Sequence, residues 1–592
     1  MDSFALYFTA ALIILMTGLL AFELFNASII VFSTLLMLIF SDVITVDEAF
    51  AGFSNHGMLT VAFLFVIART LETTGILNSL GNFVLGKTGS VSKKLIRLLF
   101  PVSALSAFFN NTPIVAMLIP VIGNWTKKNN LSISKFLIPL SYAAILGGTC
   151  TLIGTSTNLV VHGLMLEHGL EGMKLFEISK VGVPLAIIGI MVITLIGHRF
   201  LPNRKEPVVE LGESTREFVV TMKVLRNYPH IGETIEKAGL RHLKGLFLFQ
   251  IQRQGETITS VSPQEIIHKG DRLFFTGLPQ TIVELQRTAG LSLLKEETFD
   301  LKNYDSDKIG IFEVVISQDS PLTGKGVRES AFRSHYDAVI LAVHRAGERI
   351  RQKIGDIILH SGDTLLILSE KKFLNRWYHS KDFYLVSKSA EIFSKPKRYS
   401  YFSLFVLVGM ICMMALNSIP ILVSVSVAAT ILLLSKSIKA KEAIESIDWH
   451  VLLVIAAAFG IAKGVENSGL SFVIAEKIKI LFNPLGTLGL ITGIYFLTSI
   501  YTEIITNNAA AALVFPIALS TAQQAGVDPR PLLIVVAIAG SASFATPIGY
   551  QTNLMVYGPG GYRFKDFLKI GIPMNIFIGI LTITFVYLLN YR

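Results

Sequence analysis

Phe109-Asn110-Asn111-Thr112-Pro113 is a polar knot in apolar surroundings, and Ile505-Thr506-Asn507-Asn508-Ala509 repeats it far downstream. The first is reached through Ser92–Phe109 and left through Ile114–Trp125; Gly486–Thr502 and Ala510–Ala522 flank the second. Each arm reads as too short to cross a bilayer. Two adjacent Asn at membrane depth are costly unless the backbone turns there and lines a polar cavity. Both knots therefore read as tips of re-entrant helical hairpins that meet near the midplane from opposite sides. A kinked buried helix, or an Asn pair joining two helices, is the competing account of one knot alone. Recurrence within a long repeat favours the hairpins.

The membrane setting follows from composition. Of 592 residues, 52% are hydrophobic and 16% charged, and the mean hydropathy of +0.58 is too high for a soluble protein of this size. Apolar runs such as Ala5–Leu20 and Ile576–Leu589 give a polytopic α-helical membrane protein. The net charge of +10 is gathered in loops and one polar block, which fits positive-inside topology rather than nucleic-acid binding. Cys150 and Cys412 lie in apolar segments, so no disulfide framework or cysteine metal site is implied. Met1-Asp2-Ser3 lacks the basic start of a cleaved signal, and the first apolar run is expected to remain as a span.

Five spans are predicted in 1–202 (4–22, 25–41, 57–76, 133–161 and 180–200), with the tip 109–113 between the third and fourth. Five more follow in 397–592 (401–416, 420–435, 449–468, 530–556 and 570–590), with the tip 505–509 in the corresponding place. The two blocks are one unit used twice. Glu48, His56, Glu72 and Gly75 recur as Glu442, His450, Glu466 and Gly469, displaced by 394. Asn111 and Pro120 recur as Asn507 and Pro516, displaced by 396; Thr151, Gly154, Thr157 and Asn158 recur as Thr546, Gly549, Thr552 and Asn553, displaced by 395. A unit with an odd number of crossings, used twice in succession, must invert, which is the plan of secondary transporters. Lys87, Lys93, Lys94, Arg97, Lys127, Lys128 and Lys135, then Arg199, Arg204, Lys205, Lys436, Lys439, Lys441, Arg563, Lys565 and Lys569, fall on one side if both termini are extracytoplasmic. The chain is then a multi-pass protein of the cell membrane, with 203–396 in the cytoplasm.

That polar block is itself a tandem. Gly232, Arg253, Gly255, Glu256, Gly270 and Asp271 recur, displaced by 92, as Gly324, Arg345, Gly347, Glu348, Gly362 and Asp363. Strand-like runs such as Gly245–Gln252 and Ala338–His344 end in Arg-x-Gly-Glu turns, which gives two small α+β domains at 203–299 and 300–396. They resemble the TrkA-C (RCK C-terminal) domains of potassium transport systems. Arg253 and Arg345 read as turn and surface residues rather than ligand contacts.

Chemistry is expected where the fourth and ninth spans break, at Gly147–Asn158 and Ala545–Asn553. Gly, Thr and Pro inside a span free backbone carbonyls, and these with hydroxyl oxygens are hard ligands suited to Na⁺. Half-helix N-termini offer N–H groups to an anion. Small-residue helix packing is the bland alternative. Together the tips and broken helices resemble the divalent anion:sodium symporter family, in which a Ser-Asn-Thr motif sits at each tip beside an unwound Gly-Thr-x-x-Asn helix. Here the tips read Asn110-Asn111-Thr112 and Thr506-Asn507-Asn508. The family's Pro-Pro-Asn becomes Ser156-Thr157-Asn158 and Gln551-Thr552-Asn553.

The resemblance implies a sodium-coupled symporter, not an enzyme, moving a divalent inorganic anion by an elevator motion past a dimeric scaffold; sulfate is the first choice. It assigns Asn110, Asn111, Thr112, Thr506, Asn507, Asn508 and Thr546 to the anion. One Na⁺ falls to Ser106, Asn111 and Gly154, the other to Thr502, Asn507 and Gly549. No cofactor beyond the coupling ion is expected, and a cytosolic small-molecule regulator is expected on the tandem domains. A dicarboxylate or other oxyanion is the alternative cargo; a ligand-gated channel or cation transporter is the rival class, against which stands the lack of a TVGYG filter. Gly81-x-x-x-x-Gly86-Lys87-Thr88 matches a P-loop in letters but lacks the preceding strand, and reads as chance. His56, His450, Glu72 and Glu466 read as caps and interfacial anchors rather than a proton relay, and Glu503 either tunes the second tip or holds a backbone N–H, with tuning preferred.

Overall fold

In the computed structural model the described residues are 3–590 apart from 23–24, 74–89, 130, 205–218, 241–245, 255, 260, 263, 278–287, 295–308, 318–319, 346–347, 351, 353, 371, 378–379, 381, 386–396 and 417–418. Gly75, the P-loop-like run, Lys87, Lys205, Gly255 and Gly347 lie outside them.

The first membrane block runs α1 (Ser3–Ala21), α2 (Ala27–Phe40), α3 (His56–Thr73), the hairpin arms α4 (Val91–Ser106) and α5 (Asn111–Lys128), the half-helices α6 (Leu137–Gly148) and α7 (Ser156–Glu167), and α8 (Ser179–Val192). The second runs α9 (Lys397–Ala415), α10 (Ile421–Leu434), α11 (Ala440–Ser446), α12 (Trp449–Asn467), α13 (Leu470–Phe482), the arms α14 (Gly486–Ile504) and α15 (Asn507–Ala525), the half-helices α16 (Pro529–Ser541) and α17 (Gln551–Tyr557), and α18 (Phe564–Asn590). Among the described residues six helical stretches are long and apolar enough to span a bilayer, and further shorter apolar helices accompany them. Large apolar side chains point outward along them, among them Tyr7, Ile14, Phe405 and Ile576, a surface suited to lipid. The protein is a polytopic helical membrane protein.

One expectation is corrected by the arms. Those of the second hairpin hold 19 residues each, about 28 Å, so shortness is not what makes them turn back. The expected arms end at Thr502 and Ala522. The helices continue because Glu503 is satisfied internally, as described below. Local signals fix the ends elsewhere: Asn26 caps α2, Ser90 caps α4, Asp448 caps α12, and Asp528 with Pro529 starts α16. Gly526, at φ +67°, ends α15 in the left-handed conformation.

The two blocks are interlocked. Helix α12 packs on α2 while α3 packs on α10, so the corresponding helices exchange partners. A single apolar core takes residues from both blocks, including Leu99, Ile138, Phe515 and Phe544. A second cluster joins α1 and α2 to α12 and to Ile505, Ala509, Ala510 and Leu513 at the second tip.

Between the blocks lie two antiparallel five-stranded sheets. The first orders its strands β3-β2-β4-β1-β5, where β1 is Val219–Val224, β2 Leu246–Arg253, β3 Glu256–Thr259, β4 Arg272–Gly277 and β5 Leu291–Leu293. The second, with β6 Ile309–Ile316, β7 Ala338–Arg345, β8 Glu348–Arg349, β9 Thr364–Glu370 and β10 Phe383–Leu385, has the same order read from its other edge. Even the irregularity recurs, between Leu248 and Gln250 in one and Ile340 and Ala342 in the other. Arg253 and Arg345 are more than surface residues. Each clamps the buried Asp of a Gly-Asp turn, Arg253 to Asp271 at 3.0 Å and Arg345 to Asp363 at 2.7 Å.

The second sheet touches the membrane block. A Cβ at Gly362 would fall 2.7 Å from the Leu554 side chain of α17, and one at Gly558 would collide with the Thr364 hydroxyl. Tyr384 of β10 packs on the main membrane core. The corresponding Gly270 of the first sheet has no neighbour within 4 Å of such a Cβ.

Candidate functional site

Both tips and both broken helices converge, and they do so crosswise. The first tip meets the break of the second half: Asn111 Nδ2 donates to the Tyr550 hydroxyl at 2.6 Å, and Thr112 Oγ1 donates to Gln551 Oε1 at 3.0 Å. The second tip meets the break of the first half: Asn508 Oδ1 accepts from Ser156 at 3.0 Å and from Thr157 at 3.4 Å. Each break is held in shape by an Asn that is itself fully buried. Asn158 donates to the Gly148 and Thr151 carbonyls, and Asn553 donates to the Ser543 and Thr546 carbonyls. Interrupting a helix at this depth strands backbone groups, and these two amides recover part of the loss.

Glu503 recovers more. Its carboxylate accepts from the Phe544, Ala545 and Thr546 backbone N–H groups at 2.9–3.0 Å, from Thr546 Oγ1 at 3.0 Å and from Asn575 Nδ2 at 2.7 Å. Every one of these partners is a donor, so only an oxygen pair fits. Glu503 is thus a clamp on the second break, not a wall of the cavity.

A cavity of about 720 Å³ opens over the junction. Where the tips meet the breaks it is lined by Asn110, Thr112, Thr506, Asn507, Asn508, Tyr550 and Gln551, all neutral and polar. Titratable residues of the membrane blocks also line it, Arg69, Glu72, Glu442, Glu445, Asp448 and His450, as do Ser320, Thr323 and Ser361 of the second sheet. Arg69 pairs with Glu72 at 2.8 Å. Two of the residues assigned to the anion stand elsewhere. Asn111 is only 1% exposed and sits behind Tyr550, and Thr546 spends its hydroxyl on Glu503 and on the Gly549 N–H.

Around the first tip, Ser106 Oγ donates to Asn111 Oδ1, and Gly154 lies so close to the Gly148 and Ala107 carbonyls that a Cβ would fall 2.5 and 3.0 Å from them. These oxygens form a compact nest. Around the second, Thr502 Oγ1 donates to Asn507 Oδ1 at 3.0 Å and to the Gly540 carbonyl at 2.6 Å. A Cβ at Gly549 would meet Ser543 Oγ, Thr546 Oγ1 and the Glu503 carboxylate rather than the Thr502–Asn507 pair. Ser541 Oγ and Ser543 Oγ are buried with no hydrogen-bond partner among the described residues, two oxygens with spare capacity. His450 and Ser28 approach to 3.2 Å, and Glu466 bonds His168 at 3.3 Å and Lys463 at 3.0 Å, so these end-of-span residues tie helices together.

The CitMHS citrate transporter family profile matches residues 13–539, most of the chain. The chain belongs to the citrate transporter family. A proposed sulfur deprivation response regulator of Chlamydomonas reinhardtii is 36% identical to it, covering 94% of this chain and 97% of its own length. Sodium/sulfate cotransporter 1 of the same alga is 26% identical, covering 90% and 84%. A sodium-dependent high-affinity dicarboxylate transporter of Caenorhabditis elegans is 30% identical over 148 residues, a quarter of this chain. The protein is therefore a transporter and not an enzyme. Sequence reasoning missed Tyr550 and Gln551 as parts of this transporter's junction. The signal was present, since both lie in the break that the 395-residue displacement marks, but the tip they would meet is decided only by the crossed packing.

Proposed function

We propose that the protein is a sodium-coupled symporter of a divalent inorganic anion, with sulfate as the first cargo. The observation that carries this reading is the composite polar floor where the tips meet the breaks, to which both halves contribute amides and hydroxyls and neither contributes a Lys or Arg. Such a floor holds a doubly charged anion through neutral donors, and bound cations offset the charge. The oxygen nests beside each tip, Ser106–Asn111–Gly154 and Thr502–Asn507 with Ser541 and Ser543 nearby, are where two Na⁺ would bind. Asn110, Thr112, Thr506, Asn507 and Asn508 are the anion contacts on this reading. Asn111 serves through Tyr550, and Thr546 through the shape of the break.

The crossed tips support two inverted repeats, and the transport step is an elevator motion of hairpins and half-helices past α1–α3 and α9–α12 in a homodimer. The cavity opens toward the second sheet, so on the topology read from Lys and Arg this is a cytoplasm-facing state. The two sheets act as TrkA-C-like regulatory domains, and the contact of Gly362 and Thr364 with α17 is the route by which they bias transport. Differential affinity of a regulator for two conformations is all that such control requires. A dicarboxylate is the second reading, favoured by the match to the worm transporter.

Binding of radiolabelled sulfate to the purified protein, with Na⁺ titrated and phosphate, succinate and citrate as competitors, tests the reading. Sodium-dependent sulfate binding displaced weakly by the organic anions is expected. Binding of citrate or succinate in preference to sulfate would transfer the assignment to the second reading.

A further inference from the structure

We propose that the Tyr550 hydroxyl closes the first ion site while the second stays open, so that the two coupling ions leave the cavity at different rates. The inference rests on the sodium-coupled reading above and gives the two halves unequal parts in it.

A broken symmetry carries the argument. The repeat relates Asn111 and Thr112 to Asn507 and Asn508, and Thr155 and Ser156 to Tyr550 and Gln551. One cross-link obeys the relation, since Thr112–Gln551 and Ser156–Asn508 both close at 3.0 Å. The other does not. Asn111 reaches Tyr550 at 2.6 Å, whereas Asn507 bonds inside its own tip, to Thr502 at 3.0 Å. A phenol bridges a gap that the short hydroxyl of Thr155 leaves open. Burial differs accordingly: Asn111 is 1% exposed and absent from the cavity wall, while Asn507 and Tyr550 both form part of it.

The Asn111 amide is engaged at both ends, its oxygen accepting from Ser106 and one N–H donating to Tyr550. Tyr550 is in turn 3.5 Å from Thr155 Oγ1 of the opposite half. An ion held by Ser106 and Asn111 therefore has the phenol between it and the cavity, and an ion beside Asn507 does not. Release from the first site requires the Asn111–Tyr550 bond to break. A buried hydrogen bond of ordinary strength makes that step roughly tenfold slower than release from the open site.

The test uses the purified full-length protein loaded with radiolabelled Na⁺ and diluted into Na⁺-free buffer. Wild type should release its label in two phases of equal size, the slow one about tenfold slower. Tyr550→Phe, which keeps the ring and loses the hydroxyl, and Tyr550→Thr, which restores the counterpart residue, should each merge the phases into one fast phase. A merely structural role would lower the bound amount and the melting temperature without merging phases. Should both variants lose binding, Ser106→Ala decides: loss of the slow phase alone supports the inference, and loss of the fast phase overturns it. A single phase in wild type, or two unchanged phases in both Tyr550 variants, overturns the inference and leaves sodium coupling standing. Absence of saturable Na⁺ binding in wild type overturns both.

Discussion

At the scale of single residues, the two tip asparagines and Glu503 do different work, and substitution separates them. Asn111→Ala removes an amide that joins Ser106 to Tyr550, and Asn507→Ala removes the partner of Thr502. Each should raise the Na⁺ concentration for half-maximal uptake by about tenfold, the value of one buried hydrogen bond. Sodium-driven uptake at wild-type level in both variants would remove these residues from the coupling site. Glu503→Gln turns one carboxylate oxygen into N–H₂ and sets it against two or three of the five donors, so one contact at least turns repulsive. A loss of roughly 2–3 kcal/mol in thermal stability is expected, accompanied by loss of uptake. A variant that keeps its melting temperature and changes only its choice of anion would show that Glu503 faces cargo. The tip residues were legible in the sequence because polar groups at membrane depth are conspicuous and recurred. Tyr550 was legible only as part of a break, because nothing in the sequence says which tip an aromatic residue there would meet.

Among the elements, the small sheets were legible from turns and the hairpins from their tips, but the arm lengths were not. A polar residue such as Glu503 looks like a helix end in sequence, and α14 runs one residue past it, to Ile504, with Glu503 held by partners from a distant segment. The Arg-Asp clamps were half legible: the 92-residue displacement marked Arg345 and Asp363 as paired features, without showing that Asp363 is buried and Arg345 covers it. Arg345→Ala leaves a buried carboxylate unpaired, and about 3 kcal/mol of stability should be lost from the second sheet. A melting profile that is unchanged would contradict the clamp. The adjoining turn gives a matched comparison. Gly362→Ala and Gly270→Ala share a left-handed strain of about 1–2 kcal/mol, since both glycines have φ above +80°, but only the first would also meet Leu554. If docking of the second sheet restrains transport, Gly362→Ala alone should alter the uptake rate severalfold. Equal effects of the two would argue that the contact transmits nothing.

For the whole molecule, the crossed contacts Asn111–Tyr550 and Asn508–Ser156 join the tip of each half to the break of the other, segments that the repeat in the sequence had marked. The closeness of the second sheet to α17 was invisible beforehand, because it depends on a glycine at 558 meeting a threonine at 364, a fit that no periodicity encodes. Orientation is checked by single cysteines in a background lacking Cys150 and Cys412. Those at Ser3 and in 41–56 should react with an impermeant thiol reagent from outside, and those in 203–396 should not; the reverse pattern would undo the inverted arrangement. The central claim is that an inward Na⁺ gradient drives a divalent inorganic anion through the composite site. Uptake of radiolabelled sulfate into proteoliposomes, with the membrane potential clamped, tests it most directly. Accumulation above the external concentration that vanishes when Na⁺ is equal on both sides is the predicted result, and sulfate uptake indifferent to Na⁺, or no sulfate uptake at all, would contradict it.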